Sequence, residues 1–151
     1  MSTTNEKNTA TLLHLSTLSQ YIIPFGNYIF PILIWSTNKD KSEFIDYHGK
    51  QAINFQLSIL LYSLVLAIIA IPIFIVTVFS NIPLNTIIND EEFMVNHFSI
   101  ENLTGIVIVA LIAILVFIGL KVAEFFLIIY ASVKASNGEQ YKYPLTIPFI
   151  K

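Results

Sequence analysis

The chain lacks two residue types altogether: among its 151 residues there is no cysteine and no arginine. Without cysteine there is no disulfide framework, thiolate nucleophile, Cys-ligated metal or iron–sulfur cluster. Without arginine the bidentate grip on phosphates and base edges is missing, and nothing points to nucleic acid as a partner. Charge is also scarce. Only 12% of residues are charged and 55% are hydrophobic, whereas soluble domains carry about 25% and roughly 45 to 50%. A mean hydropathy of +0.71 points the same way and excludes an ordinary soluble enzyme.

The distribution of charge says more than its total. Stretches free of Lys, Arg, Asp and Glu run from Asn8 to Asn38, Gln51 to Asn89 and Asn102 to Leu120, which are 31, 39 and 19 residues. A hydrocarbon core of ~30 Å is crossed by about 20 helical residues. The expected architecture is therefore an all-α integral membrane bundle with three hydrophobic segments, 12–35, 51–80 and 103–133, behind a disordered polar tail at 1–11. The first segment contains Pro24, Gly26 and Pro31, and proline both lacks a backbone donor and clashes with the preceding turn. A break is expected near Ile23 to Asn27. It leaves two readings open: a kinked span, or two half-helices that re-enter and pack against the rest of the protein.

Loop 36–50 holds Lys39, Lys41 and Lys50; the tail 134–151 holds Lys134, Lys142 and Lys151; loop 81–102 is acidic and has no lysine. Lysine excess marks cytoplasmic flanks, so loop 36–50 and the C-terminal tail are expected in the cytoplasm and the acidic loop outside, in a bacterial inner membrane. Trp35 ends the first segment as an interface anchor, and Asp40 with Glu43 has the spacing of a helix start.

Candidate site residues follow from polarity inside apolar segments. Lys121 and Glu124 stand three apart on one face of the third segment, either as an internal ion pair or as a relay or headgroup contact. Gln51, Asn54, Ser58 and Tyr62 form a stripe on the second segment, suited to interhelical hydrogen bonds or to the wall of a polar groove, while His48 sits at its edge. The three histidines, His14, His48 and His97, are 34 and 49 residues apart and match no metal-site spacing. Asp90, Glu91, Glu92 and His97 make at most a weak cation contact. Serine-nucleophile, phosphate-loop and dinucleotide motifs are absent, so no metal, cofactor or catalytic residue is assigned.

The runs Ile23-Pro24-Phe25-Gly26-Asn27, Pro31 to Trp35, Asp46-Tyr47-His48-Gly49-Lys50-Gln51-Ala52 with Ile53-Asn54-Phe55-Gln56, and Val133-Lys134-Ala135 through Asn137-Gly138-Glu139 to Tyr143-Pro144-Leu145-Thr146-Ile147 resemble small bacterial Tic-twenty-like membrane proteins. These form a domain of unknown function distantly similar to the chloroplast inner-envelope import component. The resemblance implies a non-enzymatic part of a membrane or translocation-type complex. Loop 81–101 and the Lys121/Glu124 pair fall outside that pattern. The expected function is a small subunit or scaffold whose partners are the lipid bilayer and a second copy or a larger complex. The alternative is a small oligomeric channel or transporter with a polar groove between helices two and three.

Overall fold

The computed structural model describes residues 2–81 and 100–151; the Asp90–Glu92 and His97 contact expected above lies outside them. Among the described residues there is no strand, and the chain is helical apart from short links and the tail after Ser136. The described residues form four α-helices in order, α1 (Thr4–Ser16), α2 (Gly26–Asn38), α3 (Glu43–Asn81) and α4 (Ile100–Ser136), with short 3-10 turns at Thr17–Tyr21 and Lys39–Lys41. The chain divides into two compact units. One joins Met1–Leu61 to Leu120–Lys151, and the other is Tyr62–Gly119.

Helix α1 occupies most of the region expected to be a disordered tail. Its start is a capping box: the Glu6 amide donates to Thr3 Oγ1 at 3.3 Å and the Thr3 amide to Glu6 Oε2 at 2.7 Å. This reciprocal pairing satisfies two amides that a helix start leaves open. Ala10, Leu13 and His14 then give the helix a fully buried face, which fixes a sequence whose polarity alone reads as loop. At its other end Ser16, Thr17 and Ser19 each bond the carbonyl three residues back, at 2.8, 2.7 and 2.6 Å. Such back-bonding competes with helix continuation, and the chain tightens into the 3-10 turn before breaking at Ile22–Phe25.

The break falls where Pro24 and Gly26 place it, for two separate reasons. A Cβ on Gly26 would sit 2.6 Å from Ser19 Oγ, so the glycine permits a close chain approach. The left-handed backbone is carried by its neighbour Phe25, at φ 62°. Helices α1 and α2 pack against each other, and each has 13 residues, or ~20 Å. Segment 12–35 is thus a helical hairpin with neither arm long enough to cross a bilayer. In place of three hydrophobic segments, two helices among the described residues have sufficient length.

Those two are α3 and α4, whose portions Glu43–Val76 and Val107–Ser136 are long and apolar enough to span. Helix α3 starts earlier than the hydrophobic pattern suggests, because Ser42 rather than Asp40 caps it: its hydroxyl accepts the Phe44 amide at 3.2 Å and its carbonyl the Asp46 amide at 3.0 Å. The 39 residues of α3 reach ~58 Å, nearly twice a hydrocarbon core, and Pro72 does not end it. Its beginning belongs to the first unit, whose core joins Ala10 and Leu13 to Ile45, Ala52, Ile53, Phe55 and Ile59 of α3 and Ile128, Ala131 and Ala135 of α4. In the second unit α3 and α4 expose apolar side chains such as Leu64, Ile68, Leu111 and Leu115.

Helix α4 ends in a left-handed glycine cap. Gly138 has φ +82°, its amide bonds Ala135 O at 2.9 Å, and the Glu139 amide bonds Lys134 O at 3.0 Å, which satisfies carbonyls that a helix end leaves open. The space a Cβ would need at Gly138 is taken by Lys7 and Ser2, so the start of α1 lies against the end of α4.

Candidate functional site

The first unit encloses a line of polar side chains contributed by α1, α3 and the tail after α4. His14 and His48 are fully buried and Tyr143 nearly so. His14 Nε2 lies 2.8 Å from His48 Nδ1, and the Tyr143 hydroxyl 2.9 Å from His14 Nδ1. Burial pushes the Tyr143 phenol well above its ordinary range, with Tyr141 and Glu124 adding to it. The phenol therefore keeps its proton and donates it to His14 Nδ1. A neutral imidazole carries one N–H, so His14 donates from Nε2 to His48 Nδ1, and His48 holds its own proton on Nε2. Among the described residues that nitrogen makes no full hydrogen bond, with the Glu139 backbone as its polar neighbour. The opposite order would strand the Tyr143 proton as well. Burial first, and the adjacent His48 second, push the His14 imidazole down to about 3.

Aromatic rings wall this line. Phe55 stacks on Tyr143 with centroids 4.0 Å apart and planes 7° from parallel, and Phe44 meets His48 edge-on at 4.4 Å. Offset and edge geometries of this kind favour aromatic pairs beyond their burial.

A second polar group lies where the hairpin meets α4. Lys121 Nζ is 2.8 Å from Glu124 Oε2, and Gln20 closes the set by donating to Glu124 Oε1 at 2.9 Å and accepting from Lys121 at 3.3 Å. The Glu124 side chain is fully buried, while that of Lys121 is 31% exposed. Close by on the hairpin, Asn27 donates to Gln56 Oε1 at 2.7 Å.

A third group binds the tail. Asn54 donates from Nδ2 to Ile150 O at 2.9 Å and accepts the Ile150 amide on Oδ1 at 2.8 Å. Ser58 accepts the Ile147 amide at 2.9 Å and donates to Asn54 O at 2.7 Å. Trp35 forms a fourth tie. Its indole donates to Asp46 at 2.8 Å, Asp46 pairs with Lys50 at 2.6 Å, and a Cβ on Gly49 would fall 2.1 Å from Trp35 Cδ1. Trp35 is thus held by α3 itself, beyond the interface role its position suggests.

The expected site residues are not gathered into one groove. His48 joins the histidine line, Asn54 and Ser58 hold the tail, and Lys121 and Glu124 hold the hairpin. Among the described residues Gln51 Oε1 is buried without a partner; Ser132 of α4, a further buried hydroxyl, bonds its own helix at Ile128 O. Sequence reasoning missed His14, Gln20, Asn27, Gln56 and Tyr143, whose partners are distant along the chain. Among the described residues no three His, Cys, Asp or Glu side chains come together as a metal would require.

A short helical hairpin and a tail locked by buried hydrogen bonds onto two long apolar helices define a small helical membrane protein. A family model for the magnetosome magnetite crystal formation proteins, MamF/MmsF, matches residues 5–150, and the chain belongs to that family. This finding overturns the Tic-twenty-like resemblance. Several residues behind that resemblance serve the fold: Gly49 lies under Trp35, Gly138 caps α4, and Asn54 holds the tail. No curated protein and no solved structure matches the chain.

Proposed function

We propose that the chain is a non-enzymatic scaffold in a membrane of the kind its family name describes, where magnetosome magnetite crystals form. Its first unit serves as a rigid platform at one membrane face. The observation that carries this reading is that Glu124, Asn54 and Ser58, polar groups a conduction path would use, are taken up inside the chain. Both Glu124 oxygens, both ends of the Asn54 amide and the Ser58 hydroxyl are hydrogen-bonded to the protein's own groups. Satisfied buried networks rigidify, whereas a permeation path needs groups that exchange partners with the permeant. The re-entrant hairpin is the element most suggestive of a channel, but it is closed by the same bonds.

The contacts of His14 with Tyr143 and of Lys7 with Gly138 support a reading in which the start of α1 and the tail share one membrane side. With two spans, loop 36–50 shares that side, and its lysines with those of the tail favour the cytoplasm. Two measurements test the proposal. Purified protein in liposomes should pass protons and monovalent cations no faster than empty vesicles do; flux above that level restores the channel reading. Single cysteines at Thr4, Asn38 and Asn137 should all resist an impermeant label in intact cells, and labelling at Thr4 alone would refute the shared side.

A further inference from the structure

The helical hairpin is graded from end to end. Its open end exposes Thr4 and Asn5 of α1 with Ser36 and Thr37 of α2, while its tip exposes Ile22 (85%) and Phe25 (71%). Side-chain contacts fix the level of each end against α3. At the open end the Trp35 indole bonds Asp46, which pairs with Lys50, and Lys39 lies 5.4 Å over the Trp35 ring. At the tip Asn27 bonds Gln56. Asp46 and Gln56 are about ten residues apart on α3, or ~15 Å, half of a ~30 Å hydrocarbon core. Tryptophan and lysine mark a membrane interface, and a hairpin held at that interface by Trp35 ends at the middle of the bilayer.

The tail keeps to the same depth. From Tyr143 it runs to Ser58, which accepts the Ile147 amide, and turns back to Asn54, which bonds the Ile150 amide and carbonyl. The Thr146 hydroxyl is buried, while Leu145 and Phe149 are 83% and 49% exposed. Irregular backbone in hydrocarbon must be bonded to protein, and these α3 side chains do that for three main-chain groups of the tail. At the level of the hairpin tip the exposed apolar surface continues onto the long helices. Leu60 and Leu61 of α3 stand about one turn beyond Gln56, and Phe125 and Phe126 of α4 stand beside Glu124, which Gln20 bonds. The charged groups at that level, Lys121 and Glu124, bond each other and Gln20. An apolar band at one level on hairpin, tail, α3 and α4 fits a lipid leaflet, whereas a protein partner would cover a patch.

We infer that the hairpin tip and the tail are seated in a single leaflet, on the side of loop 36–50, and add their volume to that leaflet alone. Apolar insertion at one face of a bilayer is sensitive to curvature, so the chain favours membrane that is convex on that side. The inference goes beyond the scaffold reading and does not depend on it, since a channel could carry the same hairpin.

The absence of cysteine makes a direct test available. Full-length protein carrying one nitroxide, at Ile22→Cys, Phe149→Cys or Thr37→Cys, all exposed positions, is reconstituted in phosphatidylcholine vesicles. Collisions with oxygen, which concentrates in lipid, are compared with collisions with a water-soluble nickel chelate. Oxygen should dominate at Ile22 and Phe149, and the chelate at Thr37. If the chelate reaches Ile22 or Phe149 as readily as Thr37, that segment is in water and the proposal fails. If neither reagent reaches them, protein covers them and it fails equally. Curvature is read by orientation in small and large vesicles, using an impermeant thiol reagent on unlabelled Thr37→Cys. The ratio of labelled to protected chains should be about threefold higher in the small vesicles. Adding Ile22→Ser and Phe25→Asn makes the tip polar, and asparagine tolerates the left-handed backbone at that position; this variant should lose the dependence on size. An equal ratio at both sizes in the parent, or an unchanged dependence in the polar-tip variant, would overturn the curvature preference.

Discussion

The two halves of α3 sort their residues in opposite ways. From Ile45 to Ile59 the buried positions include His48, Asn54, Gln56 and Ser58, while from Leu60 to Val76 large aliphatic side chains such as Leu64, Ile68 and Val76 stand exposed. In water this would invert a stable fold, since burying a polar group costs free energy unless it is bonded. In lipid it is the expected order, because hydrocarbon is as apolar as leucine and helix association rests on packing and hydrogen bonds. One continuous helix therefore obeys two rules. Its first half buries polar groups among specific partners, and its second half turns large apolar side chains outward.

That contrast is broken most strongly at Glu124. Glu124→Leu alone should destabilise the protein by about 3 kcal/mol, because it leaves Lys121 and Gln20 without their shared acceptor. Lys121→Leu with Glu124→Leu should lie within about 1 kcal/mol of the parent, since apolar replacement of a buried pair is often neutral. Thermal unfolding in detergent reads both, and similar losses would show that the pair acts beyond packing.

Gly49→Ala should cost about 2 kcal/mol, in the range for overpacking, and should drive the indole off α3. Trp35 is the sole tryptophan, so its emission should shift to the red; unchanged emission would mean that the helix yields instead.

Acid probes the histidine line. The folded chain holds His14 neutral down to about 3, while the unfolded chain takes up its proton near 6.5. Stability from this group is flat above pH 6.5 and declines as pH falls toward 3, by about 1 kcal/mol at pH 5.5. A scan of unfolding temperature from pH 7.5 to 5 should show the decline in the parent, and His14→Gln should make it shallower without abolishing it, since His48 is buried in the same line. The smallest effect belongs to the other half of α3. Ile68→Ala should change stability by less than about 0.5 kcal/mol in lipid, and a core-sized loss there would mean that the exposed half has a protein partner.

How far the sequence foretells this structure depends on the range of the interaction. The two long helices follow from charge-free runs, the break near Pro24 from local sterics, and the Lys121–Glu124 pair from a spacing of three on one helix. Each of these is decided within a turn or two of chain. Helix α1 was hidden because TNEKNTAT is polar. Its local signal was the Thr3–Glu6 capping pattern, but its buried face exists only once α3 is present. Gln20 reaches Glu124 across 104 residues and Asn54 reaches Ile150 across 96, and no periodicity encodes such meetings. Three histidines in three segments look unrelated until the helix pairing brings two of them within a hydrogen bond.

The bond between His14 and Tyr143 also sets an order of events in time. The two residues are 129 positions apart, and at about 5–20 residues per second a ribosome takes roughly 6 to 26 s to make the second after the first. Through that interval α1 has its buried face uncovered while α3 and α4 are being delivered to the bilayer. Membrane insertion thus precedes closure of the histidine line, and a chain stalled before Tyr143 would be anchored in lipid with His14 still open to water.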